Sequence, residues 1–441
     1  MSNSAMDGSA SSKKSRPFNF RAKHRARAHE SAHADAAGNA EDTTVHPEVP
    51  LVFRGPTAII ETNEDLAKLI ADLRADGSFA YDSEFIGELT YHPQLCLLQV
   101  ASRNRIGLID PLAEIDLVPF WELLADPSVE KIVHAGEQDI EPVVRHLGRP
   151  GANIFDTQIA AGFIGLPYPI SLSKLIAELT GAKLGKGLTF SHWDQRPLSA
   201  VQLRYAADDV RYLPAAAAAL LERLDALGHT AWAKEECSAV CAPDLYRFDP
   251  QTQFLRVRGA TSLQPRNMAI LRELTILRDA AARAQNVPPR SMLKDEVLLD
   301  LSRNPPKSVD ALARVRGLPR PVEHEYGQRI VDAAAHALTL PTMDLPGTRE
   351  YEPSPVEKFR ADAIFATTQA FCSGLSIDPS LVASRQEVGE FYRFVTGKRA
   401  GEAPRLLQGW RKQAVGDRLT AFLEGEGTIK LGWESGSLKA K

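Results

Sequence analysis

Residues 79–95 read "FAYDSEFIGELTYHPQL". The stretch begins as a buried strand, with Phe79, Ala80 and Tyr81 in succession, and then places Asp82 and Glu84 one residue apart. Successive strand side chains point to opposite faces, so both carboxylates share one face. Two carboxylates that close raise each other's pKa unless a cation neutralises them. Oxygen-only ligands suit Mg²⁺ or Mn²⁺. A solvated strand end also accounts for such a pair, so partners elsewhere must decide.

Outward from this strand the chain alternates. Strands are predicted at "TAIIET", "QLCLLQVAS", "RIGLIDPL", "VEKIVHAG" and "NIFD". Helices are predicted at "NEDLAKLIADLRADG", "LVPFWELLADPS", "EQDIEPVVRHLG", "TQIAAGFIGL" and "SLSKLIAELTG". A long helix follows over "SAVQLRYAADDVRYLPAAAAALLERLDALG", and Pro214 should kink or break it. Early strands in succession, then strands alternating with helices, give a mixed sheet flanked by helices.

Partners for the carboxylate pair lie far along the chain. Asp139 falls where a strand feeds a helix, the edge on which α/β sites are usually built. Tyr205 and Asp209 stand at i and i+4 on one helix face. Asp208 is turned away by about 100 degrees, so Asp209 is the better partner.

The segments "DSEF", "HAGEQDIE", "FDTQIAA" and "WDQRPLSAVQLRYAADDVRYL" occur in the order and spacing of a known family. Over residues 55–225 the chain resembles the DEDDy class of 3′–5′ exonucleases and, within it, the ribonuclease D family. The resemblance implies an α/β, RNase H-like exonuclease domain over 51–230, with helices on both faces of a mixed sheet. It implies that Asp82, Glu84, Asp139 and Asp209 ligate two divalent metal ions, Mg²⁺ or Mn²⁺. Such a pair clamps the attacking and leaving oxygens of an in-line displacement. Tyr205 would orient the attacking water, and the product would be a nucleoside 5′-monophosphate. The family commonly has an Asp where this chain has His192, before Trp193. That departure touches a loop contact and none of the four carboxylates.

Five neighbours are candidate substrate contacts, each with a plainer reading. Phe85 points away from the carboxylate pair by alternation and suits core packing. His134 could touch phosphate or simply pack. Gln158 could bond substrate, and Asp156 beside it matches a residue of the family motif but could simply cap the helix starting at Thr157. Lys186 and Arg196 flank an irregular loop and could grip phosphates, though exposed loop cations usually grip nothing.

After a connector at 231–261, residues 262–342 show helical apolar spacing punctuated by "NVPP" and "RNPPKS". This module resembles an HRDC domain, a nucleic-acid-binding unit. A Pro-rich linker spans 343–354. Residues 355–425 look like a second, weaker HRDC-like copy, so the fold class is an α/β exonuclease domain followed by all-α HRDC-type domains. The tail at 426–441 is expected to be loosely held.

Charge divides along the same lines. Residues 51–230 carry 15 Lys and Arg against 24 Asp and Glu, whereas residues 255–340 carry 14 against 9. An acidic domain suits cations and a basic one suits polyanions. Residues 1–50 form a tail too polar to order itself. Its "KKSRPFNFRAKHRAR" holds seven Lys and Arg and no acid, which fits either a solubilising tail or a nucleic-acid-binding arm. The four cysteines fit neither a disulfide framework nor a zinc site. No apolar run is long enough to span a membrane and no secretion signal is visible, so a cytoplasmic protein with no membrane partner is expected.

Three function classes follow. The first is an exoribonuclease acting on RNA with a single-stranded 3′ end, such as tRNA precursors. The second is a DNA exonuclease of the same mechanism, since carboxylates do not read the 2′-hydroxyl. The third is a nuclease-dead RNA-binding scaffold, against which the intact five-residue set argues. Protein partners are not indicated.

Overall fold

The computed structural model describes residues 49–185, 192–341, 353–399, 401–434 and 436–440. Lys186, most of the Pro-rich linker and most of the N-terminal tail fall outside these residues. The chain forms two compact units, one containing 95–248 and one containing most of 249–348.

The first unit is built on a six-stranded sheet. In chain order its strands are β1 (Thr57–Ile60), β2 (Ser78–Ile86), β3 (Gln94–Ala101), β4 (Ile106–Ile109), β5 (Glu130–Val133) and β6 (Ile154–Asp156). The spatial order is β1-β4-β3-β2-β5-β6. β1 runs parallel to β4, β3 antiparallel to β4, and β2, β5 and β6 run parallel. This is the mixed sheet expected from the sequence, with β2 near its centre.

Helices cover both faces. Helix α1 (Asn63–Asp76) is capped by the Thr62 side chain and ended by Gly77 in the left-handed conformation. Its Leu66, Leu69, Ile70 and Leu73 form the buried stripe. With α2 (Val118–Leu124) and α3 (Glu137–Leu147) it covers the face on which Tyr81, Leu98, Val100, Phe120 and Ile140 pack. The helices α4 (Thr157–Gly162), α5 (Leu172–Thr180), α6 (Ala200–Arg211) and α7 (Leu213–Leu227) lie on the opposite side, where Ala80 and Ala101 meet Val210, Leu213 and Ala217. The long predicted helix is broken at Tyr212. Pro214 has no N–H to donate, so it sits in the first turn of α7, where none is needed.

The expected connector at 231–261 is two different things. Residues Thr230–Ser238 form α8, whose Ala233 and Cys237 join the core under α4 and α7. Short 3-10 turns follow, and residues from Asp249 onward belong to the helical unit.

That helical unit contains α9 (Pro265–Gln285), α10 (Pro289–Met292), α11 (Asp295–Arg303), α12 (Val309–Leu312) and α13 (Arg320–Thr339) around Leu271, Leu274, Leu298, Leu301 and Ile330. It also takes in residues 87–94, which the sequence reading left with the exonuclease. Tyr91 explains why. Its hydroxyl donates to Asp279 at 2.5 Å, its N–H donates to the Asn286 side chain at 3.2 Å, and Arg283 stacks 4.8 Å above its ring.

The C-terminal segment repeats the layout of α9–α11. Helices α14 (Pro355–Leu375), α15 (Pro379–Val382) and α16 (Arg385–Val395) each begin 90 residues after their counterparts at Pro265, Pro289 and Asp295. The left-handed caps Asn286 and Ser376 keep the same offset. This copy does not stand alone, because Phe371, Leu381, Phe391 and Trp410 share one core with Phe163, Leu213 and Leu220 of the sheet unit. Asp378 donates its N–H to Gly162 at 2.8 Å, and a Cβ on Gly162 would lie 2.4 Å from Leu381. The expected loose tail instead contains a hairpin, β7 (Leu431–Glu434) with β8 (Ser437–Ala440). It is held because Ala440 is buried in the same core and its carbonyl lies close against Gly374.

All four cysteines are free thiols. Among the described residues no helix is long and apolar enough to cross a membrane.

Candidate active site

β2 presents a different set of residues on each face. Ala80 packs beneath α6 and α7, so Asp82 and Glu84 face that side, toward Tyr205 and Asp209. Tyr81 packs under α2 and α3, and Ser83 and Phe85 follow it toward Asp139. Asp139 occupies the first turn of α3 and is buried. The Tyr81 hydroxyl donates to its backbone carbonyl at 3.0 Å, and the Ser83 hydroxyl donates to its carboxylate.

On α6, Tyr205 and Asp209 stand one turn apart with the tyrosine hydroxyl bonded to the carboxylate. A capping box between Ser199 and Gln202 starts this helix, and buried Trp193 lies 6.1 Å from the Tyr205 ring. Asp208 faces elsewhere. It accepts from Arg211 Nε at 2.9 Å, and the same guanidinium reaches the Phe53 carbonyl.

Asp82 and Glu84 feel the charges of the other carboxylates. Burial raises Asp82 well above the usual carboxylate range, and Asp139, Asp209 and Glu84 push it further. Glu84 is pushed up to about 8 by burial and by Asp209 and Asp139. Burial takes Asp209 to about 7 against the opposing Tyr205 hydrogen bond. Burial likewise takes Asp139 to about 6, opposed by the Ser83 bond. Burial and the charges of Asp209 and Glu84 raise Tyr205 far above its ordinary value, so its hydroxyl stays protonated at neutral pH. As placed, no group of three or more His, Cys, Asp or Glu among the described residues could hold a metal ion. Like charges at this spacing repel, and a cation is what would draw them together. An all-oxygen set of half-buried and buried carboxylates, each raised above its ordinary pKa, fits a hard divalent ion.

A cleft of about 420 Å³ opens beside them, lined by Asp82, Ser83, Phe85, His134, Ala135, Glu137, Gln138 and Asp139. Phe85 is therefore a half-buried cleft wall, not core packing. His134 contributes only its ring. Nε2 bonds the Ile170 carbonyl and Nδ1 contacts Thr157 Oγ1, both at 3.0 Å, and burial lowers its pKa. Gln158 lies outside the cleft lining and donates its amide to the Ile170 carbonyl at 2.9 Å.

Arg196 is corrected by the structure. Its guanidinium makes five hydrogen bonds, to both Asp110 oxygens and to the carbonyls of Cys96, Trp193 and Gln195. Arginine has five N–H donors, so none is left for a phosphate. Asp156 does more than cap α4. Besides Gln158 and Ile159, it accepts from the N–H groups of Ala135 and Gly136, tying β6 to the turn that launches α3. Neither this link nor the roles of Tyr81 and Ser83 carried a sequence signal, because each joins segments at least 20 residues apart.

The chain is similar to known proteins over most of its length. A family model described as 3′-5′ exonuclease matches residues 57–225, and one described as HRDC domain matches 267–333. A curated ribonuclease D from Gluconacetobacter diazotrophicus is 38% identical over 373 residues, 83% of this chain and 93% of that protein. One from Granulibacter bethesdensis is 36% identical over 88% of this chain and 97% of its own length. The crystal structure of Escherichia coli RNase D, described as an exoribonuclease involved in structured RNA processing, is 28% identical with a TM-score of 0.74. That match covers 85% of this chain and all of that one. The 3′-5′ exonuclease family depends on divalent metal. The chain belongs to the ribonuclease D family and is a 3′–5′ exoribonuclease.

Proposed function

We propose that Asp82, Glu84, Asp139 and Asp209 hold two divalent ions, Mg²⁺ or Mn²⁺, and that the enzyme trims single-stranded 3′ tails from structured RNA such as tRNA precursors in the cytoplasm. The observation that carries this reading is the convergence of carboxylates from β2, α3 and α6 beside one cleft, where each is held above its ordinary pKa. When bound, the ions supply a nucleophilic water at neutral pH and charge stabilisation for the departing oxygen. The chain's own groups do the rest. The protonated Tyr205 hydroxyl orients the attacking water by hydrogen bonding, and Phe85 offers a ring against which a terminal base can stack. Water adds to phosphorus, the bond from phosphorus to the 3′ oxygen breaks, and that oxygen leaves with a proton. The shortened RNA regains a 3′-hydroxyl and a nucleoside 5′-monophosphate is released. The net +5 of residues 255–340 supports a backbone-gripping role for the HRDC module. The structured-RNA role described for the Escherichia coli enzyme supports the substrate class.

The test uses a tRNA precursor with a 3′ tail, its tail-less counterpart and a matched DNA, each with Mg²⁺ or Mn²⁺, and follows 5′-monophosphates. Tailed RNA should be degraded fastest and Asp209→Ala should be inactive. Wild-type rates in Asp209→Ala overturn the site, and equal rates on all three substrates overturn the substrate assignment.

A further inference from the structure

Gln99 is the middle of β3 and is 0% exposed, yet neither its amide oxygen nor its amide nitrogen has a hydrogen-bond partner among the described residues. Buried side-chain amides are normally paired, and each exception calls for an explanation. Its position supplies one. Leu98 and Val100 pack on the α2–α3 side, and Leu97 and Ala101 on the α6–α7 side, so Gln99 faces with the latter. This is the face that carries Asp82 and Glu84 on the neighbouring strand β2. Its direct partner across the β3–β4 ladder is Leu108, which packs with Leu97, Ala206 and Tyr205. Helix α6 contacts β4 and β2, the strands on either side of β3, on this same side of the sheet. The orphaned amide thus faces the side of the sheet that α6 covers, on the strand next to the one bearing Asp82.

We propose that Gln99 is a positioning residue for the metal-binding carboxylates. An ionised carboxylate only accepts hydrogen bonds, and the Gln99 amide is an uncommitted donor on the same buried face. Carboxylates that ligate a metal are themselves hydrogen-bonded by the protein around them. Gln99 Nε2 then donates to the Asp82 carboxylate, directly or through one water, and fixes its orientation. The inference rests on the site assignment above.

The test compares Gln99→Met, which keeps the volume and removes both polar atoms, with Gln99→Glu, which keeps the shape and replaces the amide donor by an acidic oxygen. Three quantities are read in the full chain: melting temperature without metal, Mn²⁺ affinity by calorimetry, and the metal dependence of RNA hydrolysis. Gln99→Met should melt at or above the wild-type temperature, because an unpaired buried amide has gone, while binding Mn²⁺ roughly tenfold more weakly, as for loss of one charge-assisted bond. Gln99→Glu should show the same weakening or more, and it serves alone if the methionine variant does not fold. Wild-type Mn²⁺ affinity in either folded variant overturns the inference. Asp82→Asn is run alongside: full activity there overturns the site assignment itself, whereas an inactive Asp82→Asn with normal Mn²⁺ binding in the Gln99 variants overturns only the role of Gln99.

Discussion

The Tyr81 hydroxyl donates to the Asp139 backbone carbonyl at 3.0 Å, fastening helix α3 to the strand that carries Asp82 and Glu84. Ser83, two residues on, makes the second fastening, to the Asp139 carboxylate itself. One strand therefore places its own two carboxylates on one face and grips a third from the other. The Ser83 bond also lowers the Asp139 pKa against the effect of burial.

Replacing Ser83 with alanine should remove that opposition. Asp139 would rise above about 6 and hold its proton more tightly against an incoming ion. Hydrogen bonds to charged groups contribute about 1.5–3 kcal/mol, so metal affinity should fall roughly tenfold or more. The loss should be greater at acidic than at alkaline pH, where Asp139 is ionised in either protein. Metal titrations of hydrolysis at several pH values check this, and a pH-independent loss would assign Ser83 a merely steric role.

Metal-free protein should become less stable as pH rises. The folded-state pKa values of Asp82, Glu84, Asp139 and Asp209 are all raised, so folding takes up protons at these groups. Their contribution is complete below the unfolded carboxylate value of about 4. It is lost as pH climbs through about 6 at Asp139, about 7 at Asp209 and about 8 at Glu84. Thermal melts in chelator across this window should show a falling midpoint, and added Mg²⁺ should restore it most at the alkaline end. Asp209→Asn should flatten the slope.

The parts of the site legible in the sequence are those set by local periodicity. Asp82 and Glu84 share a face because strands alternate, and Tyr205 and Asp209 share one because a helix turns in 3.6 residues. The rest depends on where distant segments meet. Asp110, 86 residues before Arg196, takes the cation that loop position suggested for phosphate. Tyr91 carries residues 87–94 into the helical unit through Asp279 and Asn286, almost 200 residues away. Ala440 holds down a tail whose composition alone reads as loose. Gln99 sits in an apolar run and only its burial shows it to be unpaired.

The C-terminal copy of the helical layout should depend on Glu236. Its carboxylate accepts from both Arg411 terminal nitrogens and from Trp410 Nε1, each at 2.7 Å, and from Arg405 at 3.0 Å. Arg411 is 7% exposed and Glu236 13%. Removing one partner from a buried pair strands the other charge and costs about 3–5 kcal/mol. Glu236→Ala should therefore lower the unfolding free energy of the sheet unit, read from urea titration, by that amount. A shift under about 1 kcal/mol, as for a surface pair, would mean that this ion pair does not hold the C-terminal helices in place.

Arg196 offers the sharpest separation of stability from substrate binding. By sequence it is a loop cation beside the final motif, and by structure its five donors are engaged within the protein. Asp110 is 7% exposed and Arg196 27%, so Arg196→Ala leaves a nearly buried carboxylate without its cation. The cost should be about 3 kcal/mol, the lower end of the range for a broken buried pair, because the arginine keeps some solvent. The segment it pins contains Trp193, which packs beside Tyr205, so kcat should fall as the tyrosine loosens. KM for RNA should stay near wild type, since no phosphate contact is lost. A double variant, Arg196→Ala with Asp110→Ala, removes both charges and should recover much of the stability. If KM instead rises steeply while the melting temperature holds, Arg196 grips the substrate backbone after all.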